Sequence, residues 1–322
     1  MSPFSPSIIF ALGFSLYYFL KSSANGRVLI SRKLFFLSLT YVAISIFCVI
    51  LNKDSFYVVI RNITILLMFI IVKFPDESNS KYILDTMFLT FLVELIFRLG
   101  IYGFSMNIYD YKKSLLLPDT NFLGLLFVPV FFHLWNKMEV RRRVQAIFLI
   151  FFTMSRTSWL AFIGLMLMRL VKKYIYFFTF LIAIIPWYVI FIFKDFLKEL
   201  DGSLSTKVDI YLTLFESKGD IVKILLFGVG KDHAASYGLE MLGKKVYTGH
   251  TIPGNILEYG LVNVILIISI VFNLTPDPYR KFFLFFLVLT GMTGLFPYSY
   301  LPITIMLLQA VYYFNYKEKL HV

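Results

Sequence analysis

Runs of about 17 to 22 predominantly apolar residues recur along the whole chain, each long enough to cross a hydrocarbon layer of roughly 30 Å at about 1.5 Å per helical residue. Backbone polar groups inside such a layer must be satisfied internally, which leaves only helices and closed barrels. A barrel needs short segments that alternate apolar and polar residues, and runs such as Phe282 to Leu289 do not alternate. The sequence therefore predicts an all-α, polytopic membrane bundle. With 59% hydrophobic and 16% charged residues, the composition excludes an ordinary soluble domain. Cys48 is the sole cysteine, so neither an internal disulfide nor a cysteine metal cluster is expected.

The apolar runs predict about 11 transmembrane helices, at 4–20, 34–51, 56–72, 82–103, 119–135, 144–154, 157–171, 174–193, 255–274, 282–296 and 300–316. The first run follows no basic segment and precedes no small-residue cleavage site, so it reads as a retained helix. Alternate connections hold 17 lysines and arginines against 4 in the intervening short ones, which predicts an outer amino terminus and a cytoplasmic carboxyl terminus. Three regions follow: helices 1 to 8 over 1–193, an extracytoplasmic loop with short helices over 194–254, and helices 9 to 11 with a cytoplasmic tail over 255–322. Eight lysines in the long loop do not oppose this orientation, because long translocated loops are largely exempt from the charge rule. The net charge of +12 follows from cationic loops on a membrane protein, and nucleic acid is not an expected partner.

Several charges then project to one depth near the outer face. Arg61 and Arg98 lie near the outer ends of their helices, Arg156 sits in a tight outer turn, and Asp119 and Asn121 open the fifth helix from that side. Lys207 and His250 come from the long loop. A charge inside a membrane segment costs about 2.5–3.5 kcal/mol, which makes it a functional candidate. The plainer readings are snorkelling of Arg61 and Arg98 to lipid phosphates, a structural pair between Arg98 and Glu94 four residues away, a solvated turn at Arg156, and a structural histidine at His250. A cationic pocket in the outer leaflet suits an anionic headgroup whose tail stays in the bilayer, and a lipid diphosphate fits guanidinium and ammonium partners best.

Pro118-Asp119-Thr120-Asn121-Phe122-Leu123-Gly124, Ser155-Arg156-Thr157-Ser158-Trp159-Leu160, Phe227-Gly228-Val229-Gly230, and His250 followed by Glu258-Tyr259-Gly260 together resemble the O-antigen polymerase and ligase superfamily over about residues 118–265. The resemblance implies inverting, metal-independent transfer of a glycan from an undecaprenyl diphosphate carrier, with no cofactor. It places the protein in a bacterial inner membrane with its active site toward the periplasm, and makes undecaprenyl-diphosphate-linked oligosaccharides, membrane lipids and a chain-length regulator its candidate partners. By this resemblance His250 is the general base. Arg156, Lys207, Arg61 and Arg98 hold the diphosphate, and Asp119, Asn121, Trp159 and Glu258 support the acceptor side. The chain departs from the family in having one helix fewer, Lys207 where an arginine is usual, and Thr251 after His250 where an asparagine is usual. Ligase-type transfer and a flippase for lipid-linked oligosaccharides are the alternatives; a flippase needs polar residues lining both leaflets, whereas the candidate cations lie in the outer half.

Overall fold

A computed structural model describes residues 32–71, 83–103, 120–136, 138–153, 155–200, 202–216, 221–246, 251–293, 304–305 and 308. Among these residues the chain is helical, with no strand. The helices are α1 (Arg32–Asn52), α2 (Tyr57–Ile71), α3 (Ile83–Tyr102), α4 (Thr120–Leu134), α5 (Val140–Phe152), α6 (Arg156–Leu170), α7 (Ile175–Leu200), α8 (Gly202–Phe215), α9 (Ile221–Phe227), α10 (Ala234–Leu242), α11 (Ile252–Leu274) and α12 (Arg280–Thr293). Among the described residues, three stretches are long and apolar enough to cross a membrane: Arg32–Asn52, Lys172–Glu199 and Ile252–Leu274. The helix expected at 4–20 lies outside the described residues, as does most of that at 300–316.

Two breaks shape the long helices. In α7, Phe193 leaves helical geometry (φ −107°, ψ 21°) where the unbroken apolar run ends, and a charged extension continues to Leu200. In α11, Gly260 adopts φ 81° and ψ 161°, a region open essentially to glycine alone. Pro129 in α4 and Pro186 in α7 are accommodated within their helices.

The chain forms two compact units. One comprises Met1–Ile71, Phe178–Leu274 and Gly291–Phe296; the other comprises Val72–Phe177, Thr275–Thr290 and Pro297–Val322. In the first unit α11 packs against α1 and α9. Val49, Val58, Val59 and Tyr259 form a buried cluster there, flanked by Ile46 and Ile63. Asn263 ties α11 to α1: Ser45 Oγ donates to its Oδ1 at 3.4 Å, and its Nδ2, which also donates to the Tyr259 carbonyl of its own helix at 2.8 Å, donates to Cys48 Sγ at 3.4 Å. Helix α8 is anchored by Tyr211, whose hydroxyl donates to the Met292 carbonyl at 3.0 Å, and by Asp209, paired with Lys198 at 3.4 Å and Lys244 at 2.6 Å.

In the second unit α4 packs against α6. A Cβ on Gly124 would fall on Ser158, so the missing side chain lets the two helices approach at that level. Near the other end of α4, His133 stacks on Tyr279 at 3.8 Å between ring centroids, and Arg169 donates to Asn136 Oδ1 at 2.9 Å and to the Phe132 carbonyl.

Candidate functional site

In the first unit, the break at Gly260 interrupts the hydrogen-bond ladder of α11 and frees carbonyls of the preceding turn. The Phe227-Gly228-Val229-Gly230 segment supplies the missing donors: Val229 N–H to the Leu257 carbonyl at 2.8 Å, and Gly230 N–H to the Glu258 carbonyl at 3.1 Å. The two backbones cross so closely that a Cβ on Gly228 would strike the Glu258 carbonyl, and one on Gly260 the Leu226 carbonyl. Gly228 (φ 75°) and Gly230 (φ 95°) also need the left-handed region that glycine enters without penalty. Two motifs about thirty residues apart are thus halves of one structure.

The loop after this crossing docks on the turn between α1 and α2. The Asp54 carboxylate accepts from Lys231 N–H at 3.0 Å and Asp232 N–H at 3.2 Å, and the Asp232 carboxylate accepts from Ser55 N–H at 2.9 Å. Burial pushes the Asp54 carboxyl above its ordinary value, against the lowering effect of the two backbone donors. Asn52 Nδ2 adds a bond to the Phe227 carbonyl at 3.4 Å.

This docking assembles a charged cluster. An Arg61 Nη donates to the Tyr259 hydroxyl, and the guanidinium lies 5.5 Å from the centroid of the same ring, so Tyr259 both accepts from and stacks under the cation. Half-buried Lys231 is held below the ordinary lysine value by burial and then by repulsion from Arg61; Glu258, Asp232 and Asp54 oppose that shift. Two cations within electrostatic reach of each other thus share this place with a tyrosine hydroxyl and the carboxylates of Glu258, Asp232 and Asp54.

The other expected residues fall as follows. Lys207 lies on α8 of the first unit, and its Nζ donates to the Thr293 carbonyl at 3.2 Å. Arg156 is the first residue of α6 in the second unit and is exposed. Its turn is held by Ser155, the N-cap, whose Oγ accepts from Ser158 N–H at 3.2 Å and from Ser158 Oγ at 2.9 Å. Trp159 stacks on Phe151 at 4.6 Å and donates its indole N–H to the Ile150 and Phe151 carbonyls, closing the end of α5. Because Gly124 meets Ser158, the two motifs of this unit also adjoin.

Asn121 and Arg98 lie on α4 and α3, with side chains outside the description. Asp119 and His250 lie outside the described residues. Thr251, next to His250 in sequence, is buried at the head of α11, where its Oγ1 accepts from Gly254 N–H at 3.0 Å.

Arg61 and Glu258, both singled out from sequence, are thus brought together; Lys231, Tyr259 and Asp54 join them without having been singled out as site residues. The charged Gly-Lys-Asp-His stretch directly after the glycine motif is the one sequence signal that could have found Lys231. Among the described residues, no group of three or more His, Cys, Asp or Glu side chains is placed to hold a metal ion. No family model matches the chain, and no curated protein or solved structure matches it.

Proposed function

We propose that this protein is a glycosyltransferase of the bacterial inner membrane, an O-antigen or surface-polysaccharide polymerase. It moves a growing glycan from undecaprenyl diphosphate to the terminal sugar of a lipid-linked repeat unit. What supports this reading is that Arg61, bonded to the Tyr259 hydroxyl beside the Gly260 break, lies within electrostatic reach of Lys231. A diphosphate leaving group needs clustered cations, and this cluster is built from three segments remote in sequence. In this reading the bundle has about 11 spans with the cluster facing the periplasm, as the 17 to 4 charge asymmetry requires.

The acceptor hydroxyl attacks the anomeric carbon of the donor sugar from the face opposite the diphosphate. A carbon–oxygen bond forms, the bond to the diphosphate oxygen breaks with its electron pair leaving on undecaprenyl diphosphate, and configuration inverts. Arg61 and Lys231, with Lys207, offset the charge that develops on the leaving group. His250, whose ordinary pKa near 6.5 suits the task, takes the acceptor proton. Glu258 orients the imidazole.

The test follows lipid-linked repeat units incubated with purified protein, by mass spectrometry of the lengthened glycans and released lipid diphosphate. Polymer with concurrent release of undecaprenyl diphosphate is the expected result. His250→Ala should leave a monodisperse, folded protein and reduce polymer by about 100-fold or more. Near-normal chain length in that variant would remove His250 from the mechanism, and release of no lipid diphosphate by the parent protein would remove the polymerase reading itself.

A further inference from the structure

Among the described residues, Lys53 is the one side-chain-bearing residue with positive φ, at 54°. That left-handed step ends α1 as a glycine more often does, and Asp54 N–H donates back to the Val49 carbonyl at 3.1 Å across the last turn. Helix α2 starts directly beyond, with Val58 N–H donating to the Ser55 carbonyl at 3.0 Å. Val49, Val58 and Val59 lie in the buried cluster with Tyr259, so both sides of this turn are fixed in the core. A lysine in the left-handed region persists only where its surroundings enforce it, and the residue placed by that step is Asp54.

Asp54 spends both carboxylate oxygens on one neighbour. Its Oδ2 accepts from Lys231 N–H at 3.0 Å and its Oδ1 from Asp232 N–H at 3.2 Å. A third bond runs the other way, from Ser55 N–H to Asp232 Oδ2 at 2.9 Å. A single bond would let the 230–232 turn pivot; three charge-assisted bonds, two of them on adjacent amides, hold its orientation as well as its position. Gly230 makes the room, since a Cβ there would lie 2.6 Å from Asp54 Oδ1. Arg61 follows in α2, so one short segment carries the first cation and clamps the backbone of the second.

We propose that Asp54 is a positioning residue: by clamping the main chain of Lys231 it directs that side chain toward Arg61. Two cations repel each other. The carboxylates of Glu258, Asp232 and Asp54 act on the Lys231 ammonium and offset that repulsion, but charge alone chooses no direction for a flexible lysine side chain. The clamp chooses it, because the fork of Asp54 fixes the backbone from which the side chain leaves. The part this pair plays in glycan transfer rests on the reading above; the positioning itself does not.

The experiment follows acetylation of the Lys231 amine by trace acetic anhydride in the full-length protein, by peptide mass spectrometry. Removing the neighbouring guanidinium with Arg61→Gln should make Lys231 more basic and slow its acetylation near pH 8 by about threefold or more. In an Asp54→Ala background the same Arg61→Gln change should alter the rate by less than about 1.5-fold, because Lys231 no longer faces Arg61. Taking the Arg61→Gln ratio within each background cancels the charge that Asp54 itself removes. Asp54→Asn gives the same comparison with the shape kept, and Asp54→Glu, which keeps two acceptor oxygens, should restore part of the coupling. An Arg61→Gln effect of equal size with and without the Asp54 carboxylate, or none in the parent protein, would overturn the proposal. Transfer is read separately. Asp54→Ala should lower kcat for polymer formation, and in a Lys231→Met background it should lower it by no more than about twofold further. Losses that multiply in full would make Asp54 a residue of the fold alone and overturn its part in transfer. Coupling that depends on Asp54 in a parent protein releasing no lipid diphosphate would support the positioning and remove the transfer reading.

Discussion

Gly260 sustains a backbone conformation that side-chain-bearing residues essentially never adopt, and the Leu226 carbonyl occupies the space a methyl group would need. Gly260→Ala is therefore expected to cost about 3 kcal/mol or more, lowering the thermal midpoint of the detergent-solubilised protein by roughly 5–10 °C. An unchanged midpoint would show that the crossing with Leu226 can relax. Asp54 offers a second residue-level test. Its carboxyl is raised by burial, so the folded state binds the proton more tightly than the unfolded chain does. The sign follows from linkage: this group's stabilising contribution is complete below the unfolded value and is lost as pH rises through the raised folded value. Docking of the 230–232 loop should thus weaken as pH rises through the raised folded value, and Asp54→Asn should flatten that dependence. Amide hydrogen exchange at Lys231 and Asp232, corrected for intrinsic rates, measures both. Of this cluster, Arg61 was legible in the sequence because a charge in an apolar helix stands out. Asp54 was not, since a carboxylate in a short polar turn looks the same whether it faces water or accepts from a loop 177 residues away.

At the scale of elements, the glycine motifs mark close approaches between helices that the sequence does not identify as neighbours. Gly124 on α4 and Ser158 on α6 are the plainest case, since a Cβ on one falls on the hydroxyl of the other. Gly124→Ala should therefore destabilise the α4–α6 pair by about 1–3 kcal/mol, and Ser158→Ala in the same chain should recover part of that loss by giving up the crowded oxygen. Thermal midpoints of the two single variants and the double variant form the test cycle. Strict additivity would mean that the two positions do not couple. Helix ends were only partly legible. Phe193 is where the apolar run stops and also where α7 leaves helical geometry, but the charged continuation to Leu200 has no membrane-spanning signature and was placed in the loop by its composition. Helix α11, conversely, begins at Ile252 rather than 255, because Thr251 caps it through a local bond that hydropathy does not register.

For the whole molecule, orientation rests on charge asymmetry and is open to a direct check. In a Cys48→Ala background, Ser236→Cys on α10 and Asp277→Cys in the α11–α12 turn place exposed thiols on connections expected to face opposite sides. A membrane-impermeant maleimide applied to spheroplasts should label the first, and should label the second only after permeabilisation. The reverse pattern would invert the topology and with it the periplasmic reading of the charged cluster. By itself the sequence determined that the chain is helical and where most described helices lie, because unbroken apolar runs leave the backbone no other way to satisfy its own polar groups. Only the tertiary structure decided which remote residues share a site. Arg61 bonds Tyr259, and Lys231 comes within electrostatic reach of Arg61, because the break at Gly260 bares carbonyls that the Gly228–Gly230 loop must satisfy, and hydropathy does not encode such pairings between distant backbones.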